Sequence, residues 1–83
     1  MRKNKIALVT GGSGFFGTIL IKFLLKKKVK IINFDKTEPD QIPKGVKFIK
    51  GNILNSKDIN NAAKNVDIIY HNVANLPLAE NKN

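Results

Sequence analysis

The residues with the clearest chemical reading lie between positions 10 and 17, Thr10-Gly11-Gly12-Ser13-Gly14-Phe15-Phe16-Gly17. Gly11, Gly14 and Gly17 recur at every third position, directly after the apolar run Ile6 to Val9 and directly before a stretch with helical spacing. A strand, a glycine turn and a helix start in that order hold an anion. Gly11 permits the tight turn, Gly14 leaves the backbone open to a pyrophosphate, and Gly17 lets the helix pack close to the strands. The amides of Phe15 and Phe16 would face that anion at the positive end of the helix dipole. The Ser13 hydroxyl is a further candidate phosphate donor.

A second group belongs to the same chemistry. Asp35 ends the next apolar segment, where a carboxylate can accept both hydroxyls of an adenosine ribose. Its charge repels a 2′-phosphate, so the expected cofactor is NAD rather than NADP, while Lys36 directly after it pulls the other way. Taken singly, the glycines describe any tight strand–helix turn and Asp35 any turn acid. Taken together, and in this order, they describe a dinucleotide site.

The elements that must position these groups follow from periodicity. Ile6 to Thr10 is continuously apolar up to its last residue, as suits a strand buried on both faces. A helix is predicted over 14–28, with Phe16, Ile19, Leu20, Phe23 and Leu24 on its apolar stripe, Ile21 and Leu25 outside it, and Lys26, Lys27 and Lys28 closing its negative end. Val29 to Phe34 reads as a second strand. A loop containing Pro39 and Pro43 leads to a third strand, Val46 to Lys50. Asn55 is placed to cap a second helix, with Asp58 three residues on in a loose capping-box pattern and Ile59, Ala62, Ala63 and Val66 on one face. Asp67 to His71 reads as a fourth strand. Strands separated by crossovers pair in parallel with right-handed connections. The expected fold is therefore α/β, the N-terminal half of a doubly wound parallel sheet with strand order 3-2-1-4.

Composition narrows the function classes. The chain has 83 residues, enough for one small domain. A chain of this length buries only about 60–65 % of the surface it exposes when unfolded. There is no Cys and a single His, which excludes disulfide frameworks, thiolate chemistry and a His-based metal cluster. The formal charge is +9. Nearly all of it lies in residues 1–30, which carry eight basic residues and no acid. A basic nucleic-acid module is the weaker reading, because only one of the basic residues is Arg and no groove-reading or stacking motif accompanies them. No run approaches the ~18 apolar residues of a membrane span. The short apolar stretch after Met-Arg-Lys-Asn-Lys is broken by glycines and is not a signal peptide. A cytoplasmic location is expected.

The sequence resembles the N-terminal part of the extended short-chain dehydrogenase/reductase family, the NAD-dependent epimerase/dehydratase group that acts on nucleotide sugars. The matching stretches are Thr10 to Gly17, the acid Asp35, Gly51-Asn52-Ile53, and Val66 to Ala74, which together span most of the chain. The resemblance implies that position 52 contacts adenine and that the next backbone amide, at Ile53, contacts the ring. The family carries Asp where this chain has Asn52, which keeps an acceptor oxygen but loses the charge, so weaker adenine binding is expected. It also implies that Val73 and Ala74 line the dinucleotide with backbone and small side chains. His71 is read as a structural histidine at a strand end.

The family's catalysis rests on a Tyr-x-x-x-Lys pair. The only tyrosine is Tyr70, and Ala74 stands four residues on. No catalytic residue is carried over. The expectation is a partial dinucleotide-binding domain over 1–83, with a natural N-terminus, lacking its substrate domain and incomplete as a catalyst. Its edge strand would be covered by a missing C-terminal portion or by another chain. A non-catalytic dinucleotide sensor, or a decayed remnant, is the alternative.

Overall fold

The computed structural model describes residues 5–72. They form a four-stranded parallel sheet in the order β3-β2-β1-β4, built from β1 (Ile6–Thr10), β2 (Lys30–Asp35), β3 (Val46–Lys50) and β4 (Ile68–His71). Helix α1 (Phe15–Lys26) connects β1 to β2, and α2 (Ser56–Ala62) connects β3 to β4. Order, direction and strand positions agree with the expectation from sequence.

β1 lies at the centre because it is apolar on both faces. Ala7, Leu8 and Val9 are completely buried. Alternation sends Ala7 and Val9 to one core, with Ile31, Ile21 and Leu24, and Leu8 to the other, with Phe34 and Ala62. Each face of the strand thus receives its own helix layer.

The buried face of α1 differs from the predicted one. Its buried residues are Gly17, Ile21 and Leu24. Phe16, Ile19 and Phe23, expected in the core, are 68 %, 52 % and 54 % exposed. The apolar stripe is real, but Gly17 decides which side approaches the sheet. A Cβ there would collide with the Gly11 carbonyl and the Gly12 Cα, so the Gly17 side is the one that lies closest to the turn. Ile21 and Leu24, which follow at helical spacing, are carried into the core with it.

The helix ends at Lys26, earlier than predicted, in a Schellman motif. Lys28 N donates to Leu25 O at 3.1 Å and Val29 N to Leu24 O at 3.4 Å. Lys28 adopts φ 61°, a left-handed position that glycine usually fills. Lys27 is turned along the helix, its Nζ 5.1 Å from the centre of the Phe23 ring. The cap of α2 forms as predicted: Asn55 Oδ1 accepts from Lys57 N at 2.9 Å and Asp58 N at 3.2 Å. The capping box does not close. Asp58 Oδ2 accepts instead from Asn52 N at 3.0 Å and ties the helix to the end of β3. Val66 lies beyond the end of α2 but still packs against Leu8, Phe34 and Ala62.

Candidate dinucleotide site

The carboxyl ends of β1, β2 and β3 open into a cleft of about 280 Å³ lined by Thr10, Gly11, Gly14, Asp35, Lys36, Gly51, Asn52, Ile53, Leu54 and Asn72. Strand order reverses beside β1, where β2 lies on one side and β4 on the other. Ligands of open α/β sheets bind at such a switch point.

The turn from β1 into α1 is stitched by Gly11 N to Phe34 O at 2.9 Å and Gly14 N to Gly11 O at 3.1 Å. Gly11 has φ 69°, and a Cβ on it would collide with the Asn72 carbonyl, so glycine is required by backbone and by neighbour. Gly14 differs. Among the described residues, a Cβ there would meet nothing closer than the Gly11 carbonyl at 3.5 Å, ordinary van der Waals contact. Packing among the described residues does not demand glycine at 14, which lines the cleft. Gly14 is also the N-cap of α1 and makes no side-chain cap, and the first turn carries no acid. The positive end of the helix is uncompensated, with amides that lack intrahelical partners. An anionic pyrophosphate fits both features. The side chains of Phe15 and Phe16 point outward as an edge-to-face pair, 5.3 Å between ring centroids.

Asp35 lies at the end of β2, with one backbone amide on each carboxylate oxygen. Ser13 N donates to Oδ2 at 3.0 Å and Thr37 N to Oδ1 at 3.2 Å. A carboxylate accepts about four hydrogen bonds, which leaves capacity for a diol. Ser13 is used otherwise than expected. Its hydroxyl donates to Thr37 O at 2.6 Å, so its one proton serves the β2–β3 loop rather than a phosphate. Asn52 sits at the end of β3, where its Oδ1 accepts from Leu54 N at 2.9 Å. The oxygen expected to face adenine thus already closes a turn, although one lone pair remains. Ile53 lines the cleft beside it. Val73 and Ala74 lie outside the described residues.

At the far side, Thr10 is buried and joins β1 to β4: Asn72 N donates to Thr10 Oγ1 at 3.0 Å, and His71 Nδ1 lies 3.1 Å from the same oxygen. His71 is therefore engaged at the strand end. No group of acidic, His or Cys side chains among the described residues could hold a metal ion, and no helix among them is long and apolar enough to cross a membrane.

Residues 7–82 match the model of the NAD dependent epimerase/dehydratase family. The chain belongs to that family. It is 42 % identical over 78 residues to the Sinorhizobium fredii protein y4nG, covering 94 % of this chain and 20 % of the relative. It is 37 % identical over 73 residues to a 3-beta-hydroxysteroid dehydrogenase of Mycolicibacterium neoaurum, covering 86 % and 20 %. The fold superposes on dTDP-glucose 4,6-dehydratase from Bacillus anthracis, solved in complex with NAD, with a TM-score of 0.73, 30 % identity, and coverage of 86 % of this chain and 27 % of that one. The chain thus spans about a fifth of the length of these curated relatives.

Several residues of this epimerase/dehydratase-family site escaped the sequence reading. Gly12 is required because a Cβ would collide with the Asn33 side chain. Asn33 and Thr37 contribute through contacts that no local pattern announces, and Asp58, read from sequence only as part of a helix cap, contributes by holding Asn52 N. For Asn33 the available signal was a polar residue inside an otherwise apolar strand.

Proposed function

We propose that this chain binds the adenosine and pyrophosphate portion of a nicotinamide dinucleotide, NAD in preference to NADP, as the cofactor-holding segment of an oxidoreductase of the epimerase/dehydratase type. The observation that carries this reading is Gly14, a glycine that packing among the described residues does not demand, at the uncapped N-terminus of α1 and in the same cleft as Asp35. In this reading the α1 amides hold the pyrophosphate and Asp35 holds the ribose diol. Asn52 and Ile53 flank the adenine, and Val73 and Ala74 line the dinucleotide further along. When bound, the nicotinamide would supply hydride chemistry. The residues of this chain bind and orient; none of them is assigned a proton transfer. A nucleotide sugar is the proposed substrate class, supported by the likeness to dTDP-glucose 4,6-dehydratase. The chain is one part of a dinucleotide-binding domain. It carries no Tyr-x-x-x-Lys pair, so binding without turnover is expected of it alone.

Titration of the isotope-labelled chain with NAD tests this reading. Amide shifts concentrated at Gly11 to Gly17 and around Asp35 are expected. Unmoved amides at millimolar NAD would overturn it.

A further inference from the structure

Asn33 is a buried amide in the middle of an apolar strand, 2 % exposed. Its neighbours two residues to either side on β2 are Ile31 and Asp35, which share its face of the sheet. Its Nδ2 donates to Ser13 Oγ at 3.2 Å, while its Oδ1 is buried with no hydrogen-bond partner among the described residues.

We propose that Asn33 is a positioning residue for the dinucleotide site, holding Ser13 against Thr37 so that the Asp35 carboxylate stays aimed at a ribose diol and closed to a 2′-phosphate. This rests on the dinucleotide reading above.

The direction of each hydrogen bond follows from chemistry. Thr37 O can only accept, so the single hydroxyl proton of Ser13 goes to it. Ser13 Oγ must then accept from Asn33, which fixes Nδ2 toward Ser13 and turns Oδ1 toward Gly12. The amide cannot be flipped without breaking the chain of bonds. The result is one directed path from β2 through the glycine turn to the β2–β3 loop.

The ends of that path supply the groups that grip Asp35. Ser13 N holds one carboxylate oxygen and Thr37 N the other. The two residues joined by the Asn33 path thus each give one amide to Asp35. A 2′-phosphate could enter only if the carboxylate swung away and let exposed Lys36 approach.

The unpaired Oδ1 argues that Asn33 is not there for packing. A buried carbonyl without a partner destabilises the fold, and an apolar side chain of the same shape would avoid that loss. Local features that cost stability persist where they serve a site.

The test is Asn33→Leu, which keeps the branched shape and removes both polar atoms. Affinities for NAD and NADP are measured by calorimetry on the 83-residue chain, together with its thermal midpoint. The midpoint is expected to hold or rise, NAD affinity to fall about five-fold, as for one net hydrogen bond, and the preference for NAD over NADP to fall by a similar factor. Without ligand, exchange of the Ser13 amide hydrogen should accelerate. Ser13→Ala interrupts the same path away from the core and should lower the preference equally. The double variant should be no worse than either, because both remove one linkage. Unchanged preference in both single variants overturns the proposal, as does a lowered midpoint with unchanged affinities, which marks Asn33 as structural only. If Asn33→Leu fails to fold, Ser13→Ala decides. A wild-type chain that binds neither dinucleotide overturns the cofactor reading and this selectivity role with it, while Ser13 exchange still reports whether Asn33 holds the turn.

Discussion

Two glycines three residues apart have opposite reasons for being glycine. At Gly17 a side chain has no room, since the Gly11 carbonyl and Gly12 Cα occupy its place. Gly17→Ala should cost about 1–3 kcal/mol, the usual range for overpacking a close contact, read as a lower denaturant midpoint. At Gly14 a methyl fits against the protein. Gly14→Ala should cost no more than about 1 kcal/mol, the loss from exchanging a tolerated N-cap residue for a poor one, offset in part by the smaller unfolded-state freedom of Ala. It should nevertheless weaken NAD binding by at least about ten-fold if a pyrophosphate approaches that backbone. Stability and binding are thereby separable at neighbouring positions. Similar stability losses at both sites would mean that Gly14 is structural after all. The sequence showed the spacing of these glycines, but it could not rank their reasons, because each depends on what lies opposite in space.

At the scale of elements, the two helices show how local rules succeed and fail. Asn55 caps α2 as its type and position require. Replacing it with Ala should cost about 1 kcal/mol. The C-terminus of α1 has the right bonds but an unfavourable residue, Lys28 at φ 61°. Lys28→Gly should stabilise the chain by about 1 kcal/mol, since an L-residue in the left-handed region carries a penalty of that order, offset in part by the greater unfolded-state freedom of glycine. A raised thermal midpoint checks it. The capping box at Asp58 failed for a tertiary reason: Asn52 N at the end of β3 lies within its reach and takes its oxygen. The predicted stripe on α1 held at Leu20 and Leu24 and failed at Phe16, Ile19 and Phe23, because hydrophobic spacing locates an apolar band without saying which part of it meets the sheet. With apolar residues on most sides of the helix, the close approach allowed by Gly17 decides.

At the scale of the molecule, the sheet and α1 carry exposed apolar residues among the described ones. Ile68 and Ile69 on β4, at one edge of the sheet among the described residues, are 43 % and 51 % exposed on opposite faces. Phe15, Phe16, Ile19 and Phe23 add a second apolar band along α1. Exposed strand edges and bands of this kind promote association. Ile69→Lys should reduce concentration-dependent light scattering of the chain with little change in melting temperature, since the residue is already half exposed. A thin core also makes ligand linkage large in proportion. NAD at about 100 times its Kd should add about 2.7 kcal/mol to unfolding, visible as an upward shift in the thermal midpoint that scales with cofactor concentration. An absent shift at that saturation would contradict binding to the folded state.

The sequence by itself determined the parallel sheet, its strand order and the strand–glycine–helix turn. Each rests on contacts close along the chain or on topological rules: a continuous apolar run makes a buried strand, and helix crossovers force parallel pairing. It also marked Asp35 as the acid beside that turn. Only the tertiary structure decided which face of α1 is buried, how the Ser13 hydroxyl is spent, and that a buried amide at Asn33 links the glycine turn to the loop after β2. The physical reason is distance along the chain. Ser13 and Asp35 are 22 residues apart, and a hydrogen bond between such positions exists only once β1 and β2 have paired and brought them within 3.0 Å.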